Sequence, residues 1–371
     1  MIFELVTTRN CNLECRYCFE GKKYNNFMPV SDIEQIVNFI EVFRKSDFIY
    51  DKKNVQVDFN GGETLLNKNF IYEFIKKTEG LGYRYTMTTN GILVDQEVID
   101  VLNKYNINIQ ISLDGQKKTH DLNRLFYDGE GSFKIVLKKL KEIQLKCPNI
   151  VITIACVVTP DTVQDLFQNI KFFLENGFYE IGTTVCSDYK WTDSNYREYE
   201  RQIKALGDLY IKCIEDNNYF SFFSFQNKIQ NTLRGLRKGK CDAIKGQLTI
   251  LPDGNILPCG VFIGNENEKD FYIGNIKEGI NLKKLNNFFY NISQIDYSTC
   301  KKCSIFGRCK NDCLALNNRV NKDMFKCDVV TCNINQIEIF QVDRILQYFF
   351  VNPNKNFYKY FKKYLPDNYL S

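Results

Sequence analysis

The run Phe3-Glu4-Leu5-Val6-Thr7 and, after three residues, Cys11-Asn12-Leu13-Glu14-Cys15-Arg16-Tyr17-Cys18 together decide how this chain is read. The first run is short, apolar and β-branched, which predicts a strand. The second is a CxxxCxxC motif in the loop that follows it. Three thiolates can hold three irons of a cubane and leave the fourth iron open for a substrate or cofactor. Soft sulfur donors suit iron–sulfur or zinc. A structural zinc site usually takes a fourth nearby ligand. None stands before Cys147, apart from His120, the single histidine of the chain.

Working outward, further strand-like runs fall at Val55–Phe59, Arg84–Thr88, Ile107–Leu113, Val151–Val158 and Tyr179–Val185. Helix-period stretches lie between them, near 31–45, 68–79, 95–104, 132–146 and 162–175. Six β-α repeats predict a parallel sheet with right-handed crossovers. The expected fold is α/β, a partial (β/α)6 TIM-like barrel with its active site at the carboxyl ends of the strands. From about Asn195 to Gly235 the pattern is helical and aromatic-rich. Residues 241–332 then carry eight of the 15 cysteines, with glycine turns and little periodicity. Pro252-Asp253-Gly254 predicts a hairpin between Gln247–Leu251 and Asn255–Pro258. Asn335–Phe350 reads as an amphipathic helix. The expected domains are 1–235, a Cys-rich domain over 236–340, and a helical tail over 341–371.

Composition narrows the class. Residues 1–10 lack a basic leader and a long apolar run, and no stretch approaches the ~20 apolar residues of a membrane span. The expectation is a cytoplasmic protein with no membrane association. A net charge of +5 on 371 residues is a mild excess, so no nucleic-acid partner is expected. An odd cysteine count without an export signal favours metal or redox chemistry over structural disulfides. One histidine argues against His-rich zinc catalysis and against a Ser-His-Asp triad.

The motifs resemble those of the radical SAM superfamily. CxxxCxxC in the first β-α loop is that family's hallmark, and the resemblance makes Cys11, Cys15 and Cys18 the ligands of a SAM-binding [4Fe-4S] cluster. Asn60-Gly61-Gly62-Glu63 ends strand two and resembles the GGE motif that contacts the SAM amino group, with Thr64 where the family often has proline. Glycines allow close backbone approach, and Glu63 can accept from an ammonium. Ser112 and Arg124 resemble the pair that holds the SAM carboxylate and ribose. Phe19 would lie by the adenine. Each motif alone is weak; their order at successive strand ends makes the set specific.

The second series is Cys241-x12-Gly254-x4-Cys259, Cys300-x2-Cys303-x5-Cys309-x3-Cys313, then Cys327 and Cys332. It resembles the SPASM domain, which holds two auxiliary [4Fe-4S] clusters and would bring the total to three. The resemblance assigns Cys241, Cys259 and Cys313 to the first auxiliary cluster. It assigns Cys300, Cys303, Cys309 and Cys332 to the second, with Cys327 as the alternative last ligand. Gln247 stands where some relatives have a further cysteine, so the first auxiliary cluster is expected to have an iron open to a substrate thiolate. Cys147, Cys156, Cys186 and Cys213 read as small buried hydrophobes.

The resemblance implies a radical SAM oxidoreductase. The leading expectation is a maturase that abstracts hydrogen from a ribosomally made precursor peptide and forms a crosslink such as a thioether. The alternative is an anaerobic sulfatase maturase that makes formylglycine. Those relatives carry an acidic residue after the cysteine matching Cys259, and here that position is Gly260. A non-catalytic zinc-binding interaction protein is the remote alternative, since it leaves GGE, Ser112 and Arg124 without a shared purpose. Expected partners are the peptide or protein substrate, an external electron donor such as flavodoxin or ferredoxin, and a separate leader-binding protein. The last follows because the chain starts directly at strand one.

Overall fold

A computed structural model describes residues 1–21, 23–47, 52–235, 241, 243–309, 313–366 and 369–370. Alternation of side chains builds its strands. In β1 (Ile2–Val6), Phe3 and Leu5 are fully buried while Ile2 and Glu4 are half-buried. A similar alternation marks β2 (Gln56–Asn60), β3 (Arg84–Thr89), β4 (Asn108–Ser112) and β5 (Ile152–Val158), whereas β6 (Glu180–Val185) buries Ile181 alone. A period of two sends alternate side chains to opposite faces. One face is therefore apolar and covered by helices. The inner face carries Glu4, Asp58, Thr86 and Gln110. The six strands are parallel neighbours in chain order. Their ends fall within one residue of the positions expected from sequence, and the α/β class stands.

Helices lie in the crossovers because apolar residues recur at spacings of three and four. Helix Ile33–Phe43 buries Ile33, Ile36, Phe39, Ile40 and Phe43. Helix Gln96–Tyr105 starts where Asp95 accepts from the Val98 N–H and stops where Asn106 turns left-handed at φ 50°. Helix Lys355–Phe361 falls in the expected helical tail, and sequence patterning did not single out this short helix or Lys117–Asn123, Leu282–Ser293 and Leu314–Asn321. Three of them have fewer than nine residues, too short for a clear period.

The sheet does not end at six strands. β7 (Ser221–Phe222) adds to β6 in parallel. On the other side, β8 (Gln247–Ile250) pairs in parallel with β1, from Ile2 against Gln247 to Leu5 against Ile250. β9 (Asn255–Leu257), β10 (Gly274–Asn275) and β11 (Gly279–Ile280) follow antiparallel, giving one 11-stranded sheet. The expected hairpin turns at Gly254, whose φ of 79° suits glycine. An uncovered β1 would present a row of unpaired backbone groups. β8 covers it, so the Cys-rich region continues the first domain's sheet.

Helix Val329–Val351 runs unbroken through residues 340 and 341, where the sequence suggested a division. It packs on helices Asp193–Glu215 and Phe223–Leu233. Buried Glu338 accepts from Tyr199 Oη at 2.7 Å and from Lys228 Nζ at 2.5 Å. The expected boundary at 235/236 meets residues outside the described set. Among the described residues no helix is long and apolar enough to cross a membrane.

Replacing Glu338 by Ala leaves the Lys228 ammonium without its carboxylate and the Tyr199 hydroxyl without its acceptor. Breaking one side of such a buried pair costs about 3 kcal/mol. Calorimetry is expected to show a lower thermal midpoint for Glu338→Ala, with Glu338→Gln between it and the parent.

Candidate active site and cysteine clusters

The CxxxCxxC loop leaves the carboxyl end of β1 and is fixed on two sides. The Glu14 N–H donates to Leu125 O at 2.8 Å and the Arg16 N–H to Asn123 O at 3.0 Å. The Gly62 and Glu63 N–H groups donate to Thr8 O and Asn10 O, at 2.9 and 2.8 Å. A Cβ on Gly62 would lie 2.3 Å from Asn10 O, so only glycine lets the two turns approach. Cys11, Cys15 and Cys18 are half-buried free thiols. Burial pushes the Cys11 thiol up to about 11 and raises Cys15. Lys23 Nζ lies 2.8 Å from Cys18 Sγ. A cavity of about 500 Å³ opens here, lined by Cys15, Cys18, Lys23, Arg16, Phe126 and Tyr127.

Three soft donors in one loop beside an open cavity fit an iron–sulfur cluster that keeps one iron for another ligand. Among the described residues, no three Cys, His, Asp or Glu side chains form a ready single-metal site.

The expected SAM residues stand around this loop, with partners that sequence did not reveal. Glu63 is buried, and burial raises its carboxyl against the lowering effect of its hydrogen bonds. Oε1 accepts from the Leu65 N–H at 3.0 Å and Thr89 Oγ1 at 2.6 Å; Oε2 accepts from the Asn90 N–H at 2.8 Å. Oε2 retains one lone pair for an ammonium. Arg124 is turned onto Asp114: Nη2 donates to Oδ1 at 3.1 Å, and Nε lies 3.1 Å from Oδ2 without hydrogen-bond alignment. The Arg124 guanidinium also lies over the Tyr17 ring, 5.3 Å from its centroid. Expected as a direct SAM ligand, Arg124 is largely committed to the turn after β4, because a buried guanidinium needs a carboxylate. Ser112 ends β4 with its side chain half-buried. Phe19 is 48% exposed, and the Arg319 guanidinium sits 5.0 Å from its ring centroid.

Asp114 is the residue that sequence reasoning undervalued. It is fully buried and accepts from Tyr17 Oη, Arg124 and the Val157 N–H. It thus joins the cluster loop, β4 and β5. Asn90 was also missed: Nδ2 donates to Asn12 Oδ1 at 2.7 Å and lies 3.8 Å from Cys11 Sγ. Its place just after β3, at the carboxyl end, is the signal that could have found it.

Within the second series, one three-cysteine group and one cysteine pair stand out. Cys259 is 5% exposed; burial first, then the charges of Cys313 and Cys241, push its thiol up to about 12. Those three are the set expected for the first auxiliary cluster. Cys313 also caps helix Leu314–Asn321, its sulfur accepting from the Leu316 N–H at 3.5 Å. In the pair, Cys300 Sγ lies 4.0 Å from Cys327 Sγ. Cys332 sits in the first turn of helix Val329–Val351. Arg9 bridges the two halves of the site, with Nε 2.9 Å from Glu20 Oε2 and Nη1 2.8 Å from Glu268 Oε1.

Residues 5–173 match the family described as Radical SAM superfamily, and residues 241–304 match SPASM, an iron–sulfur cluster-binding domain. The chain is 26% identical over 378 residues to the radical SAM cyclopropyl synthase TigE of Paramaledivibacter caminithermalis, covering 96% of this chain and 75% of that protein. It is 27% identical over 325 residues to a cysteine-type anaerobic sulfatase-maturating enzyme of Clostridium novyi, covering 82% of this chain and 85% of that protein. Its fold matches anSMEcpe with bound AdoMet and Cp18Cys peptide at a TM-score of 0.77 and 22% identity, over 94% of this chain and 99% of the other.

His120 is structural. It is fully buried; Nδ1 accepts from the Asp114 N–H at 3.3 Å, and Nε2 lies 2.9 Å from Ser132 Oγ. Burial lowers its pKa from 6.5 to about 4. The unfolded chain therefore takes a proton that the folded chain refuses between those values. This stability is fully present above pH 6.5 and is lost as pH falls toward 4, by about 3 kcal/mol in all. Denaturant titrations across this window are expected to show a steeper loss on acidification for the parent than for His120→Gln.

Proposed function

Since this chain is a radical SAM enzyme with a SPASM iron–sulfur domain, we propose that it oxidises a side chain in a ribosomally made peptide and forms a crosslink such as a thioether. The observation that carries this reading is the β1–β8 pairing. It joins the hairpin that leads to Cys259 to β1, the strand whose end launches the CxxxCxxC loop. SAM bound at the reduced first cluster supplies a 5′-deoxyadenosyl radical that takes hydrogen from carbon. This chain's residues do the rest. Cys11, Cys15 and Cys18 hold that cluster. Glu63 would offer the free Oε2 lone pair to the SAM ammonium, while Ser112 and Phe19 would contribute to the carboxylate–ribose and adenine sides of its site. The cavity beside Tyr127 gives the reacting groups a way in to the cluster loop.

The cofactor set in this reading is SAM and three [4Fe-4S] clusters, of which the SAM-binding one is reduced by a flavodoxin- or ferredoxin-like donor and an auxiliary one would accept the surplus electron of the oxidation. Cys327 completes the second auxiliary cluster, because its sulfur lies beside Cys300. Formylglycine formation is the second reading, favoured by the match to sulfatase-maturating enzymes over most of the chain. Mass separates the two: a crosslinked peptide loses two hydrogens, whereas formylglycine loses two hydrogens and also exchanges the cysteine sulfur for oxygen.

Anaerobic reconstitution with iron and sulfide, reduction, and assay with synthetic cysteine-containing peptides test the reading. The parent is expected to release 5′-deoxyadenosine and a modified peptide, and Cys15→Ala neither. A fully loaded, reduced parent that binds SAM yet modifies no peptide would count against it. Iron analysis checks the ligand assignment: Cys327→Ser is expected to lose about four irons per chain and Cys332→Ser none.

A further inference from the structure

Glu4 is a desolvated carboxyl without a cation. It stands in the middle of β1 on the inner face, and its side chain remains half-buried. Oε1 accepts from Asn60 Nδ2 at 2.5 Å and Oε2 from Thr249 Oγ1 at 2.5 Å. The Gly260 N–H also donates to it, and the Asp58 carboxylate opposes its charge. No ion pair among the described residues includes it. A carboxylate buried without a countercharge is costly, and proteins retain such groups chiefly where they act.

The position of this carboxylate is specific. A Cβ added to Gly260 would lie 2.3 Å from Glu4 Oε2 and 2.7 Å from Oε1. Glu4 therefore fills the side-chain space of the residue directly after Cys259, and its charge bears on the Cys259 thiol. A strand-one carboxylate thus lies beside the Cys241–Cys259–Cys313 group and faces the inner side of the sheet.

Oxidative coupling of a cysteine to a carbon removes three things from the peptide. The C–H bond breaks homolytically, and the hydrogen atom leaves with the SAM-derived radical. The S–H bond breaks heterolytically, releasing a proton. The new C–S bond forms and one electron departs, to the auxiliary iron–sulfur cluster. The hydrogen atom and the electron have acceptors in the proposed function; the proton has none. We propose that the Glu4 carboxylate takes the substrate thiol proton beside the cluster held by Cys241, Cys259 and Cys313, an inference that rests on the peptide-oxidation reading. On the formylglycine route the substrate cysteine would release its thiol proton to the same group as it becomes a thioaldehyde.

A purely structural Glu4 would serve only to accept from Asn60, Thr249 and Gly260. A glutamine oxygen keeps part of that role and cannot take the proton. The full-length, reconstituted enzyme is assayed with the synthetic cysteine peptide that the parent modifies best. Glu4→Gln is expected to keep its iron, sulfide and thermal midpoint and to go on cleaving SAM. Modified peptide per 5′-deoxyadenosine is expected to fall about 100-fold. Freeze-quenched samples should accumulate a carbon-centred radical by electron paramagnetic resonance. The double variant Glu4→Ala/Gly260→Asp returns a carboxylate to the same space from the turn after β9 and is expected to restore most of the product. An unchanged product ratio in Glu4→Gln overturns the proposal. So does a double variant no better than Glu4→Ala. A parent that modifies no peptide fails at an earlier step, before any variant is compared, and sinks the peptide reading instead.

Discussion

Parallel pairing of β8 with β1 is the contact on which the rest of the site depends. β1 is the strand whose carboxyl end launches the CxxxCxxC loop, and its free edge needs a partner. When Gln247–Ile250 takes that edge, the hairpin that follows brings Cys259 and Gly260 beside Glu4. The pairing fixes register as well as proximity. A slip of one residue would turn Thr249 away from Glu4 and send the hairpin's polar side chains into the helix-covered face. The CxxxCxxC loop and Cys259, more than 200 positions apart in sequence, are therefore joined through one sheet.

A second constraint works inside the first domain. Asp114 collects Tyr17 from the cluster loop, Arg124 from the helix after β4 and the backbone of β5. A fully buried carboxylate cannot tolerate unsatisfied lone pairs, so these elements are held together or not at all. Glu63 does the same for the second turn, with donors from β3 and from its own loop. Both acidic residues spend most of their hydrogen-bonding capacity on the protein. Each shapes the SAM pocket largely by ordering the backbone around it.

Contacts between the halves suggest how the site is kept stiff. Arg9 reaches Glu20 in its own loop and Glu268 in the Cys-rich region. Arg319 covers Phe19, and Gly264 abuts the Phe19 carbonyl closely enough to forbid a side chain. The long helix Val329–Val351 anchors the far end through Glu338. The Cys-rich region is thus braced at the cluster loop, along β1 and against the helices after β6.

Local sequence was sufficient for the six parallel strands, their crossover helices, the turn at Gly254 and the three-cysteine loop. Each is dictated by short-range periodicity, turn chemistry or spacing, and none needs distant residues. The two cysteine groups were likewise legible as patterns, although the choice between Cys327 and Cys332 was not, because spacing measures chain length and ligation measures distance. Tertiary structure alone decided that β8 extends β1, that Asp114 occupies much of the Arg124 fork, and that a side chain at residue 260 would meet the Glu4 carboxylate. In the sequence Gly260 reads as a missing acid. In the fold its side-chain space holds the carboxylate of Glu4, delivered from the first strand. Sequence cannot show this, because two residues more than 250 positions apart become neighbours only through a strand register that the whole sheet sets.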